Sequence, residues 1–92
     1  MEKLSGKVAI ITGGGTGIGQ GVALMLSGEG CRVVLSGRRK APLEEALKKI
    51  SDQGGEGLVV EGDVSEASDV DRLVRAAQET FGQIDILVNN AG

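Results

Sequence analysis

Two places in this chain carry residue types and spacings suited to an anionic ligand, and a third carries polar side chains. The first is ITGGGTGIGQG, residues 11–21, with six glycines in eleven positions. The second is SGRRK, residues 36–40, where three cations follow a glycine. The third pairs Asp63 of GDV with Asn90 of NNAG. Glycines let backbone N–H groups come close to a phosphate that a Cβ would hold away. Guanidinium groups grip phosphate through paired, charge-assisted hydrogen bonds. The 92 residues hold no histidine, no tyrosine and one cysteine. Ser–His and Cys–His catalysis are therefore excluded, and so is a histidine metal site.

These residues can act together only if the fold brings them together. Four short apolar runs are rich in Val, Ile and Leu: Lys7–Thr12, Cys31–Gly37, Gly57–Asp63 and Ile84–Asn90. Near-continuous hydrophobicity marks strands covered on both faces of a parallel sheet. Three helical stretches separate them. Gly17–Glu29 is apolar nearly all round and is followed by Gly30, a natural helix stop. Pro42–Gln53 opens on a proline, which suits a first helical turn, and lines up Leu43, Leu47 and Ile50. A third runs from Ser65 or Ser68 to Phe81, with Val70, Leu73, Val74, Ala77 and Phe81 on one stripe, and Gly82 ends it.

The order β-α-β-α-β-α-β with right-handed crossovers predicts an α/β fold: a Rossmann-type, doubly wound parallel sheet with strand order 3-2-1-4. The first two helices should cover one face and the third the other. The last strand is as apolar as a central one, so it should leave a hydrophobic edge. Residues 1–92 therefore read as one half-domain of a larger sheet.

Bulk properties narrow the partners. Ten Lys and Arg against thirteen Asp and Glu leave a net charge of −3, so no affinity for nucleic acid is implied. No apolar run is long enough to act as a signal peptide or membrane span. The lone Cys31 cannot form an internal disulfide, and its strand-like neighbours suit a buried small residue, which points to the cytoplasm.

The glycine turn follows a strand and opens a helix, where free N–H groups and the helix dipole favour a phosphate. Its register matches neither of two common phosphate motifs. From Gly13 and Gly15, GxGxxG would need a glycine at Ile18, and GxxxxGK[ST] meets Gln20 and Gly21 after Gly19. TGxxxGxG fits, with Thr12, Gly13, Gly17 and Gly19. The bland reading is a structural loop.

TGGGTGIG, GDV and IDILVNNAG, in this order and spacing, resemble the short-chain dehydrogenase/reductases along the whole chain. The resemblance implies roles residue by residue. Gly13, Gly17 and Gly19 would shape a pyrophosphate turn, with Gly15, Thr16 and Ile18 beside it and Ile18 near the nicotinamide. Asp63 would hydrogen-bond the adenine amino group and Val64 would flank the ring. Asn90, Ala91 and Gly92 would line the cofactor ribose. Local sequence leaves other readings open: Ile18 as helix packing, Asp63 as a cap for the next helix, NNAG as a plain turn.

An acid at the end of the second strand would mark NAD, whereas arginine there suits the 2′-phosphate of NADP. Gly37 stands at that place, followed by Arg38 and Arg39. NADP(H) is therefore expected, with Arg38 as the main contact, Arg39 second and NAD as the alternative. A solvated basic loop is the competing reading. Thr16 stands where some NADP-preferring members carry a basic residue.

The family transfers hydride between nicotinamide and a small carbonyl or alcohol substrate, usually as a homo-oligomer. Its Tyr-x-x-x-Lys pair has no counterpart here. The chain is thus expected to be the cofactor-binding part of an oxidoreductase, inactive by itself. A stand-alone dinucleotide-binding half-domain is the alternative. A methyltransferase-like sheet would want an acid where Gly37 stands.

Overall fold

The apolar runs form the strands of one parallel sheet. A computed structural model describes residues 4–90; Ala91 and Gly92, expected to line the ribose, lie outside the described residues. Along the chain come β1 (Val8–Thr12), α1 (Gly17–Gly28), β2 (Arg32–Gly37), α2 (Lys40–Asp52), β3 (Gly57–Glu61), α3 (Ala67–Phe81) and β4 (Ile86–Asn89). The strand order is β3-β2-β1-β4, as expected, with every neighbouring pair parallel.

Register assigns the side chains to faces. Ile10 lies beside Val34 and Leu87, while Ile11 lies beside Leu35 and Val88. Because successive residues alternate, the two sets point to opposite sides. Ala9, Ile11, Val33 and Leu35 pack under Ala23 of α1 and Leu43, Ala46 and Ile50 of α2. Val8, Ile10 and Val34 pack under Leu73 and Ala77 of α3. Each helix places a fully buried alanine against the sheet, which lets its backbone sit close. Leu87 is 66% exposed on the α3 face, because α3 packs over β2 and β3.

Several boundaries differ from expectation, each for a local reason. α2 starts at Lys40, so Pro42 is its third helical residue rather than its first. The first helical N–H groups lack intrahelical acceptors, so proline is tolerated there too. β3 stops at Glu61, because the Gly62 N–H bonds the Gly37 carbonyl at 2.8 Å and the chain then turns away. α3 begins at Ala67, with Glu66 at its cap position between the two serines considered. Gly30 and Gly82 stop α1 and α3 with φ of 97° and 81°.

β4 begins two residues later than expected, because Asp85 uses its side chain as a substitute strand acceptor. Its Oδ2 accepts the Val8 N–H at 2.9 Å and the Gln83 amide at 2.6 Å. Its own N–H donates to the Val8 carbonyl at 2.9 Å. The Val8 N–H, followed by the Gln83 amide, holds the carboxyl below the usual carboxylate range. A depressed pKa stabilises the fold above the ordinary carboxylate pKa, and that stability is lost as pH falls through the folded value.

Two outcomes follow for urea denaturation. Leu35→Ala, deleting a side chain buried at the sheet centre, should cost about 2–5 kcal/mol. Asp85→Asn should be least stable relative to the parent near neutral pH, with the gap closing on acidification. A gap that does not change with pH would contradict the role given to Asp85.

Candidate functional site

Parallel strands collect their carboxyl ends on one side of the sheet, and β1 and β4 are tied together there. The Thr12 hydroxyl accepts the Asn90 N–H at 3.0 Å. It also faces the Val88 carbonyl at 3.3 Å and Asn89 Oδ1 at 3.2 Å, to which it can donate. One threonine therefore ends β1 and fastens it to β4.

The next residue, Gly13, has φ of 67°, a conformation that favours glycine. This conformation turns its carbonyl inward, where donors gather. The Thr16 N–H reaches it at 3.2 Å, the Thr16 hydroxyl at 2.9 Å and Asn90 Nδ2 at 3.4 Å. A Cβ on Gly19 would collide with that same carbonyl, so α1 can approach the turn only with glycine there. The Gln20 N–H takes the Thr16 carbonyl at 2.6 Å, leaving the N–H groups of Gly17, Ile18 and Gly19 at the open helix end.

The turn borders a crevice of about 980 Å³ at the carboxyl ends of β1, β2 and β3. Gly13, Gly15 and Thr16 form one wall, and Gly37, Arg38, Arg39 and Pro42 another. Asp63, Val64 and Asn90 border the remainder. The first turns of α1 and α2 contain no acidic residue, whereas α3 carries Asp69 in its first turn. Among the described residues, no carboxylate forms an ion pair with Arg38, Arg39 or Lys40. Two helix ends without a capping side chain, with Arg38 and Arg39 against Asp63 as the one acid of the lining, thus favour negative charge here. Open N–H groups, a glycine-rich wall and a cationic loop fit a phosphorylated nucleotide.

Asp63 has a structural task at the rim. Its Oδ1 accepts the Ser65 N–H at 2.9 Å and the Ser65 hydroxyl at 2.8 Å. Its own N–H donates to Asp69 at 2.8 Å. The Ser65 N–H first, and then the Ser65 hydroxyl, keep its carboxyl below the usual range, with a small contribution from Arg38. Asp63 thus closes a turn ahead of α3 but does not cap that helix, whose cap position is Glu66.

Eight of the sequence-predicted residues border the crevice: Gly13, Gly15, Thr16, Arg38, Arg39, Asp63, Val64 and Asn90. Gly17, Ile18 and Gly19 do not; they form the first turn of α1, with Gly19 buried and Ile18 75% exposed. Sequence reasoning missed Ser36, Pro42, Leu43, Gly62 and Ser65 as lining residues. The GD pair at the end of a strand could have signalled Gly62; nothing local signals Pro42. Cys31 is buried away from the crevice, its thiol pushed up by burial and then by Asp85 and Glu29. Among the described residues, no cluster of His, Cys, Asp or Glu could hold a metal ion, and no helix is long and apolar enough to cross a membrane.

Comparison with known proteins agrees with this geometry. A family model described as short chain dehydrogenase matches residues 7–92. An uncharacterized oxidoreductase of Staphylococcus aureus (strain USA300) is 44% identical over 92 residues, all of this chain and 39% of that protein. A hydroxysteroid dehydrogenase from Escherichia coli superposes with a TM-score of 0.94 at 36% identity, covering 97% of this chain and 38% of that one. An NAD+-bound xylitol dehydrogenase gives 0.94 at 37% identity, covering 98% and 35%. The chain thus spans about two fifths of the relatives it matches.

The two turn glycines that open α1 should respond differently to a methyl group. Gly19→Ala should lose about 1–3 kcal/mol of stability through its collision with the Gly13 carbonyl. Gly17→Ala meets nothing within 4 Å and should be neutral or stabilising by up to about 1 kcal/mol. Equal losses in urea denaturation would contradict the packing described.

Proposed function

Since the chain belongs to the short-chain dehydrogenase family, we propose that it is the NADP(H)-binding half-domain, residues 1–92, of an oxidoreductase acting on a small carbonyl or alcohol. One observation carries the cofactor preference: Arg38 and Arg39 border the crevice opposite the glycine turn with no carboxylate paired to them among the described residues. An NAD site would place an acid at the end of β2, and Gly37 is there instead.

Each wall then has a task. The N–H groups of Gly17, Ile18 and Gly19 hold the pyrophosphate, with Gly13, Gly15 and Thr16 shaping the approach. Arg38, seconded by Arg39, grips the 2′-phosphate. Asp63 uses Oδ2 to accept from the adenine amino group, since Oδ1 is committed to Ser65, and Val64 flanks the ring. Asn90, with Ala91 and Gly92, lines the ribose on the nicotinamide side, and Ile18 covers that end. Bound nicotinamide supplies the hydride chemistry; these residues bind and orient it. The proton donor implied by family resemblance is a tyrosine, and the 92 residues contain none. We place the protein in the cytoplasm as part of a homo-oligomer.

Calorimetric titration should find NADPH bound more tightly than NADH. Arg38→Asp should weaken NADPH roughly ten- to a hundredfold through lost charge-assisted hydrogen bonds, with little change for NADH. Equal affinities in the parent, or indifference to the substitution, would sink the preference.

A further inference from the structure

Gly15 has no positive φ, so turn geometry does not demand glycine there. Space does. A Cβ on Gly15 would stand 2.7 Å from Pro42 Cβ, 3.0 Å from the Pro42 carbonyl carbon and 3.1 Å from the Leu43 nitrogen. The obstructing atoms are a rigid ring and helix backbone, not the far end of a flexible side chain. The glycine turn after β1 is therefore seated directly on the first turn of α2.

That turn of α2 continues straight from Arg38 and Arg39, with Arg39 as its cap residue. Its far side is anchored by Leu43, which is 1% exposed in the core between α2 and the sheet. Leu43 also lies beside Gly37, where an added Cβ would stand 3.4 Å from its Cδ2. Pro42 stiffens the segment by holding φ fixed. The arginine loop thus has two fixed references, Leu43 in the core and Gly15 of the turn seated against Pro42.

We propose that the Gly15–Pro42 contact is a positioning device that sets the distance between the pyrophosphate turn and the Arg38–Arg39 loop, and so tunes discrimination of the 2′-phosphate. The inference rests on the NADP(H) reading above. A cofactor with a 2′-phosphate must meet both anion sites at once, across a span fixed by its own ribose. Displacing α2 by a few tenths of an ångström lengthens the arginine contacts, and hydrogen bonds weaken steeply with distance and angle. A cofactor lacking that phosphate has nothing for the arginines to grip, so the lengthened contacts do not weaken it.

Calorimetric titration of the full chain with NADPH and NADH, in the parent and in Arg38→Ala, Gly15→Ala and Pro42→Gly, tests this. Gly15→Ala, which also touches the pyrophosphate approach common to both cofactors, should weaken NADPH about tenfold more than NADH, equivalent to roughly 1.4 kcal/mol of discrimination. Pro42→Gly should act in the same direction by loosening the contact. Equal weakening of both cofactors by Gly15→Ala, or none, overturns the device while the cofactor reading stands, provided Arg38→Ala abolishes the preference. A parent without preference, unaffected by Arg38→Ala, overturns the cofactor reading and the device with it. If circular dichroism shows Gly15→Ala unfolded, Pro42→Gly decides: selective loss of NADPH supports the device, and anything else overturns it.

Discussion

The inward-facing carbonyl of Gly13 is the constraint on which the rest of the site depends. Pointing it into the molecule requires a positive φ, and holding it there takes the Thr16 N–H, the Thr16 hydroxyl and the Asn90 amide. Because the carbonyl faces in, the chain that follows can enter α1 with its N–H groups facing out. Because Asn90 is one of the donors, the turn after β1 is shaped partly by the end of β4, far away in sequence. Thr12 strengthens the same link from the strand side.

The electrostatics are assembled in the same economical way. The chain as a whole is acidic, with a net charge of −3, yet its crevice is not. The two helices that open on it carry no acid in their first turns, whereas α3 does. Arg38, Arg39 and Lys40 follow β2 at the point where α2 begins, so their charge adds to the helix dipole. A locally positive crevice on an acidic surface concentrates anions at one place and repels them elsewhere.

Much of this was legible in the residues. Continuous apolar runs specify strands buried on both faces, and the short connections leave little choice of strand order, so β3-β2-β1-β4 was readable. Gly30 and Gly82 marked helix ends because only a left-handed residue closes those turns comfortably. The start of α2 was misread because proline is tolerated at several positions of a first turn, so Pro42 could not say which one it occupied. The start of β4 was misread because Asp85 replaces a backbone partner with its side chain, which apolar patterning does not encode. In the candidate site, the glycines and arginines were visible from local spacing. The contact of Gly15 with Pro42 and the multiple bonds of Thr12 were not, since both join segments remote in sequence.

The central claim is that one phosphorylated nucleotide bridges the glycine turn and the arginine loop. Amide-resolved NMR during NADPH titration tests it most directly. The account predicts that the amides of Gly13–Gly19 and of Arg38–Lys40 shift together with a single affinity, while those of Ser27–Gly30 and Gln53–Glu56, at the opposite end of the sheet, stay still. Shifts confined to one of the two segments, or falling at the opposite end, would contradict it.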